Sequence, residues 1–155
     1  MRFLIVTLML ALSTLAARAQ DVVHGADSLF VSPTVKLAWA VRRGGSEADT
    51  LVIIRVVPAG ADYRALRVDG IDPFTKEHKV LVAARALAGE TDVAIPRAAF
   101  ADHPSTEFRF FASDEAAAAN VPKLTVFYLG VPDTTPEFSG QREADAYLER
   151  MLKSK

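Results

Sequence analysis

Cysteine is absent from the 155-residue chain. This absence excludes thiol catalysis, disulfide exchange and metal sites built from thiolates. Many small exported domains use disulfides to supplement a thin hydrophobic core, whereas this chain has to be stabilised by packing alone. We therefore expect folding to require neither an oxidant nor a metal ion.

Basic clusters are also missing. The sequence has 18 lysines and arginines against 19 aspartates and glutamates, which gives a formal net charge of −1. The cations are scattered, and Arg42-Arg43 is the only adjacent pair. Because the neutralisation of phosphates requires a basic face, neither nucleic acid nor an anionic membrane surface is expected as a partner.

The N-terminal residues have the three parts of a signal peptide. Met1-Arg2 is positively charged, residues 3–12 are apolar except for Thr7, and Ala17-Arg18-Ala19 is an A-x-A pattern before Gln20. An apolar run of this length cannot cross a membrane, which requires about twenty residues, and no longer run follows. We predict that residues 1–19 are a cleavable signal peptide, that no transmembrane segment remains after cleavage, and that residues 20–155 form a single periplasmic or secreted domain.

Alternation of apolar and polar residues dominates the mature chain. In residues 34–42, Val35, Leu37, Trp39 and Val41 share one face, which is typical of a half-buried strand. Similar strands are predicted over residues 50–57, 63–68, 79–85, 91–95, 106–112 and 123–129. The pattern predicts a mostly β protein, an antiparallel β-sandwich of immunoglobulin-like architecture with about seven to eight strands.

The segments between these strands are predicted to be turns and one short helix. Residues 20–27 are interpreted as a loose lead-in, and residues 69–73 as a turn, because glycine and proline favour turns. Ser113 is expected to cap a short helix over residues 114–120, which ends at Pro122.

The C-terminal segment changes to the period of an amphipathic helix over residues 141–153. Its apolar stripe consists of Ala144, Tyr147, Leu148, Met151 and Leu152. The strands at 50–57 and 123–129 are apolar on both faces, although a sandwich sheet normally leaves one face to water. We expect this helix to pack on the sandwich and cover those second faces. The alternative is a docking element that folds on a partner.

Histidines and carboxylates do not form a recognisable catalytic or metal motif. His24, His78 and His103 are too far apart for a spaced metal site. Asp102-His103 with Ser105 has the residue types of a triad, but a turn is the favoured interpretation because triads are defined by geometry.

Two further groups of residues are each open to a functional interpretation. Asp69, Asp72 and Glu77 are close in sequence but lack the ligand spacing of a calcium loop. An aromatic group has the composition of a sugar-stacking platform, but its alternation favours core packing; it consists of Trp39, Phe108, Phe110, Phe111, Phe127 and Tyr128. We assign no catalytic, metal-binding or cofactor-binding residue, and we expect no cofactor.

These observations favour a non-enzymatic binding or assembly module of the bacterial cell envelope, with another envelope protein as its partner. The alternative is a periplasmic carrier or sensor for a small apolar or glycan ligand, and the third hypothesis is a small hydrolase. A groove lined by phenylalanine and tyrosine would favour the carrier. An apolar patch would favour the partner-binding module, and convergent carboxylates and histidines would favour the enzyme.

We expect the exported protein to begin at Gln20, or within a few residues of it, because Ala17 and Ala19 fit the small pockets of signal peptidase. The measurement is the intact mass of the protein from the periplasmic fraction. A dominant species that retains residues 1–19 would show that this segment is an anchor.

Overall fold

The computed structural model describes residues 19–24, 28–60, 62–129 and 135–153, so the predicted leader lies outside the described residues except for Ala19. In these ranges the chain forms strands β1–β10 and helices α1 and α2. The strands are β1 (Ala19–His24), β2 (Leu29–Val31), β3 (Val35–Arg42), β4 (Leu51–Pro58), β5 (Ala65–Ile71), β6 (His78–Ala86), β7 (Thr91–Pro96), β8 (Ser105–Phe111), β9 (Leu124–Leu129) and β10 (Glu137–Phe138). The helices are α1 (Asp114–Ala118) and α2 (Gln141–Lys153).

The strands form two sheets that pack face to face. Sheet A has the order β1-β9-β8-β5-β6, and sheet B has the order β10-β3-β4-β7, with β2 also paired to β3. Neighbouring strands are antiparallel except for the parallel pairs β1–β9 and β10–β3. The chain changes sheet five times, after β1, β4, β6, β7 and β9. The predicted antiparallel β-sandwich is confirmed.

The space between the sheets is filled by the apolar faces of the central strands. Trp39 of sheet B lies edge-on against Tyr128 of sheet A, with ring centroids 4.5 Å apart, and stacks near Phe108 at 6.2 Å. These three side chains are fully buried, as are Phe110 and Phe111. Packing in the core between the sheets is therefore confirmed for Trp39, Phe108, Phe110 and Tyr128. Phe111 is buried outside that core, and Phe127 is only partly buried.

Two predicted segments differ from the structure. Residues 69–71 continue β5, so the turn begins later, at Asp72. Gly70 is required by packing, because a Cβ atom there would come within 2.9 Å of the Cβ atom of His103. Residues 20–24 belong to β1, which pairs with β9 from Ala19↔Leu124 to His24↔Leu129. An edge strand held by backbone pairing needs no alternating side chains, so this pattern gave no signal.

Helix α2 has the predicted bounds and lies on the outer face of sheet B, the face turned away from sheet A. Its fully buried residues Ala144 and Leu148 pack against Ala38, Ala40 and Ile53. The small side chains of the two β3 alanines let the helix approach the sheet closely. The prediction that the C-terminal helix covers the second apolar face of β4 is therefore confirmed.

The prediction that the same helix covers residues 123–129 is wrong, because β9 belongs to the other sheet. On the outer face of sheet A, the second face of β9 carries Thr125, which is buried, and Phe127, which is partly buried. The sequence pattern could not assign the two doubly apolar strands to different sheets.

Substitution of Leu148 by aspartate tests the structural role of α2. Leu148→Asp places a charge in a fully buried site and should cost about 3 kcal/mol or more. For a domain of this size the melting temperature should fall by roughly 10 °C. Ala146→Asp, which adds the same charge at an exposed position, is the matched control. Equal melting temperatures for the two variants would show that α2 is a detachable element.

Candidate functional site

The histidines singled out in the sequence lie apart. His24 is in β1 and His78 in β6, at opposite edges of sheet A with three strands between them. His103 has a buried Nδ1 atom without a hydrogen-bond partner among the described residues. In a triad the aspartate accepts a hydrogen bond from this atom, so the structure does not assemble Asp102, His103 and Ser105 in that way.

The carboxylates of Asp69, Asp72 and Glu77 lie in different environments and do not form one site. Asp69 lies in β5 and forms ion pairs, whereas Glu77 is exposed. The Asp72 Oδ1 atom accepts hydrogen bonds from the backbone N–H groups of Thr75 (3.1 Å) and Phe74 (2.8 Å), which lower the pKa of Asp72. In the part of the chain that the structure describes, no group of three histidine, aspartate or glutamate side chains is placed to hold a metal ion.

The turn between β5 and β6 presents an aromatic ring to water. Phe74 is 93% exposed, although its backbone N–H is fixed by Asp72. The turn is closed by the Asp72 N–H donating to the Glu77 carbonyl (3.0 Å) and the Lys76 N–H donating to the Asp72 carbonyl (2.9 Å). An exposed aromatic side chain is therefore held on an ordered turn.

The adjoining outer face of sheet A continues this exposed surface. Val80 of β6 is 48% exposed and pairs with Asp69 of β5, so the two side chains share a face. His78 lies on the same face, with its Nδ1 atom 3.5 Å from the Asp69 Oδ2 atom. We call this face, together with the adjoining turn that carries Phe74, the hairpin face; it consists of Phe74, His78, Val80, Arg67, Asp69, Glu107 and Arg109.

The centre of the hairpin face is an ion-pair network on β5 and β8. Arg67 donates from Nε to Asp69 Oδ1 (2.8 Å) and from Nη2 to Asp69 Oδ2 (3.1 Å). Arg109 donates from Nε to Glu107 Oε1 (2.8 Å) and from Nη1 to Asn120 Oδ1 (2.9 Å). Asp69 is fully buried. Burial of a charged group is costly unless the charge is paired and hydrogen-bonded, and the two hydrogen bonds from Arg67 meet this condition.

Sequence reasoning did not single out Arg67, Glu107 or Arg109. A signal was present, because Arg67 and Asp69 are two residues apart in one strand, as are Glu107 and Arg109 in another. Residues i and i+2 of a strand lie on the same face, so opposite charges at this spacing indicate ion pairs along the strand.

A second candidate site is a groove of about 440 Å³ beside the C-terminal end of α2. Its lining is Ser32, Pro33, Lys36, Arg55, Val57, Ala59, Glu90, Glu149, Leu152 and Lys153. Arg55 forms two hydrogen bonds of 2.8 Å with Asp92 and one of 3.1 Å with Asp145, and these partners raise the pKa of Arg55. The groove thus combines aliphatic side chains with charges of both signs.

Comparisons with family models, with curated proteins and with solved structures gave no match to this chain. The choice between the hairpin face and the groove therefore depends on their geometry and chemistry.

Proposed function

We propose that this protein is an exported, non-enzymatic binding module of the bacterial cell envelope, and that it binds another envelope protein through the hairpin face. The exposure of Phe74 on an ordered turn carries the proposal. Burial of a phenylalanine side chain contributes about 1.5–3 kcal/mol. A partner with an apolar pocket would gain this free energy.

The order of the turn supports the same proposal. Binding requires side chains and loops to be immobilised, which costs about 0.5–1.5 kcal/mol for each flexible side chain. The backbone at Phe74 is already fixed by Asp72, and the Arg67 and Arg109 guanidinium groups are already hydrogen-bonded. Because this surface is ordered before a partner arrives, the cost of ordering it on binding is small.

The composition of the hairpin face also favours a protein partner. Aromatic residues and arginine are enriched at protein interfaces, and aromatic anchors dominate the binding energy. On the other sheet, α2 occupies the outer face of β3 and β4. In the described residues, α1 contacts β5, β6 and β8 of sheet A, and Asn120, just after α1, accepts a hydrogen bond from Arg109 of the hairpin face.

Export is supported by the leader pattern of residues 1–19. The predicted mature chain would begin at Gln20, which lies in β1 beside β9. The N-terminus left by cleavage would therefore enter sheet A directly. Among the described residues, neither helix has the length and hydropathy needed to span a bilayer.

The proposal is tested by photo-crosslinking and then by binding. A photoreactive amino acid at position 74 should crosslink one envelope protein in the intact host, whereas the same residue at position 31 should not. Val31 is the control because it is 43% exposed and lies in β2, on sheet B.

With that envelope protein purified, Phe74→Ala should weaken the Kd at least about tenfold, or about 1.4 kcal/mol. Val31→Ala should leave the Kd unchanged, and both variants should melt like the parent protein because both side chains are exposed. Equal Kd values for the Phe74 and Val31 variants would overturn the proposal.

A carrier or sensor function is the second candidate, and the groove beside α2 favours it. Its volume lies in the usual range for ligand sites, about 300–1,000 Å³. Among the described residues, no phenylalanine or tyrosine lines it, so an aliphatic ligand fits better than a stacked sugar.

Leu152→Trp should fill much of this groove, because the larger side chain occupies the space beside Val57. Native mass spectrometry of the protein from its host would then show a small molecule on the parent chain and none on this variant. Ala146→Trp, at an exposed position of the same helix, is the control. A parent chain without any bound molecule would contradict the carrier function.

A further inference from the structure

The ion-pair network places two arginines directly opposite each other. Arg67 of β5 pairs with Arg109 of β8, and Asp69 pairs with Glu107 in the next position. Like charges that face each other across two strands are destabilising. Here the carboxylates offset the repulsion along each strand, with the 2.8 Å contacts Arg67–Asp69 and Arg109–Glu107.

The charged side chains of this network differ in their exposure to solvent. Asp69 has no exposed side-chain surface, whereas the side chains of Arg109, Arg67 and His78 are 15%, 23% and 41% exposed. The buried carboxylate therefore lies beneath a layer of nitrogen donors. Glu107, at 12% exposed, lies at a depth similar to that of Arg109, so the most exposed groups of this formally balanced network are the nitrogen donors of Arg67 and His78.

Each guanidinium group retains donor capacity. Arg67 uses Nε and Nη2 for Asp69, and Arg109 uses Nε and Nη1 for Glu107 and Asn120. Arg67 Nη1 and Arg109 Nη2 form no hydrogen bond to the residues that the structure describes. A guanidinium fork donates to planar oxygen pairs, and charge-assisted hydrogen bonds to carboxylates are among the strongest in proteins.

From this geometry, and resting on the proposed function, we infer that the partner presents a carboxylate side chain to Arg67 and Arg109. Val80 is exposed on the same face, and the turn that carries Phe74 directly follows β5, so the partner's carboxylate lies near apolar surface. The partner is thus a protein with an aspartate or glutamate beside a pocket for an aromatic ring.

The carboxylate site can be tested on the isolated protein with succinate as the probe. Succinate should shift the side-chain Nε–Hε NMR signals of Arg67 and Arg109 in a saturable way. The neutral succinamide should not shift them. The signal of Arg150, on the exposed side of α2, reports any unspecific effect of the anion.

Two substitutions should change the succinate affinity in opposite directions. Arg67→Lys keeps the charge but removes the planar fork, and should weaken binding at least about threefold. Asp69→Asn keeps the shape but removes the buried negative charge, and should strengthen binding by a similar factor. Melting curves of both variants show whether each remains folded, and a folded Asp69→Asn variant alone suffices for the test.

Absence of saturable shifts, or equal shifts at Arg150, would overturn the inference. Unchanged affinity in a folded Asp69→Asn variant would do the same, because a purely structural network predicts no change. These outcomes are distinct from failure of the proposed function. A partner that requires Phe74 but tolerates Arg67→Lys would refute only the carboxylate contact, whereas succinate binding without a crosslink at position 74 would refute only the partner.

Discussion

The fold depends on β3 being packed on both faces. One face of this strand carries Trp39, which joins the two sheets through Tyr128 and Phe108. The other carries Ala38 and Ala40, on which α2 rests. In a chain without cysteine, packing on both faces of this strand joins three layers, and a hydrogen bond from Arg42 to Gln141 adds to its contact with α2. Large side chains are placed where the sheets meet, and small ones where a helix has to approach.

The two outer faces of the sandwich avoid exposing a large apolar area to water in different ways. On sheet B, the outer face of β4 carries Leu51 and Ile53, which require the permanent cover of α2. Arg55 on the same strand anchors that cover through Asp145. On sheet A, β5 and β8 instead carry charged residues at the equivalent outward positions. The helix therefore serves one sheet, and the other sheet remains accessible without a large exposed apolar area.

Sequence patterns predicted the regular elements and missed the features that depend on tertiary contacts. The helix at 141–153 was predicted at its observed bounds because its stripe has a clear period. Most strands agree within a few residues for the same reason. Gly70 was misread because a glycine selected by contact with His103 resembles one that permits a turn. Strand β1 was missed because its formation depends on parallel pairing with β9, and the sequence of residues 19–24 alone does not show this pairing.

The hairpin face was beyond sequence reasoning for a related reason. Phe74 is a single aromatic residue in a turn, and one residue has no periodicity that distinguishes an exposed ring from a buried one. The hydrogen bonds of Asp72 fix the backbone of this turn, and they too form only in the folded chain. Arg67 and Asp69 were visible as a charged pair at the spacing of one strand face. Their alignment with Glu107 and Arg109 depends on the register between β5 and β8, which no local pattern encodes.

The choice of charged residues on sheet A has a physical consequence for function. A buried ion pair is weak evidence for stability, because apolar residues of similar volume often stabilise a fold as well or better. The outer face of β4 is apolar in this chain, but an apolar face needs a permanent cover such as α2. The network around Asp69 keeps the face ordered and compatible with water while uncovered. Such a surface can remain exposed in the free protein and still offer fixed donors and an aromatic anchor to a partner.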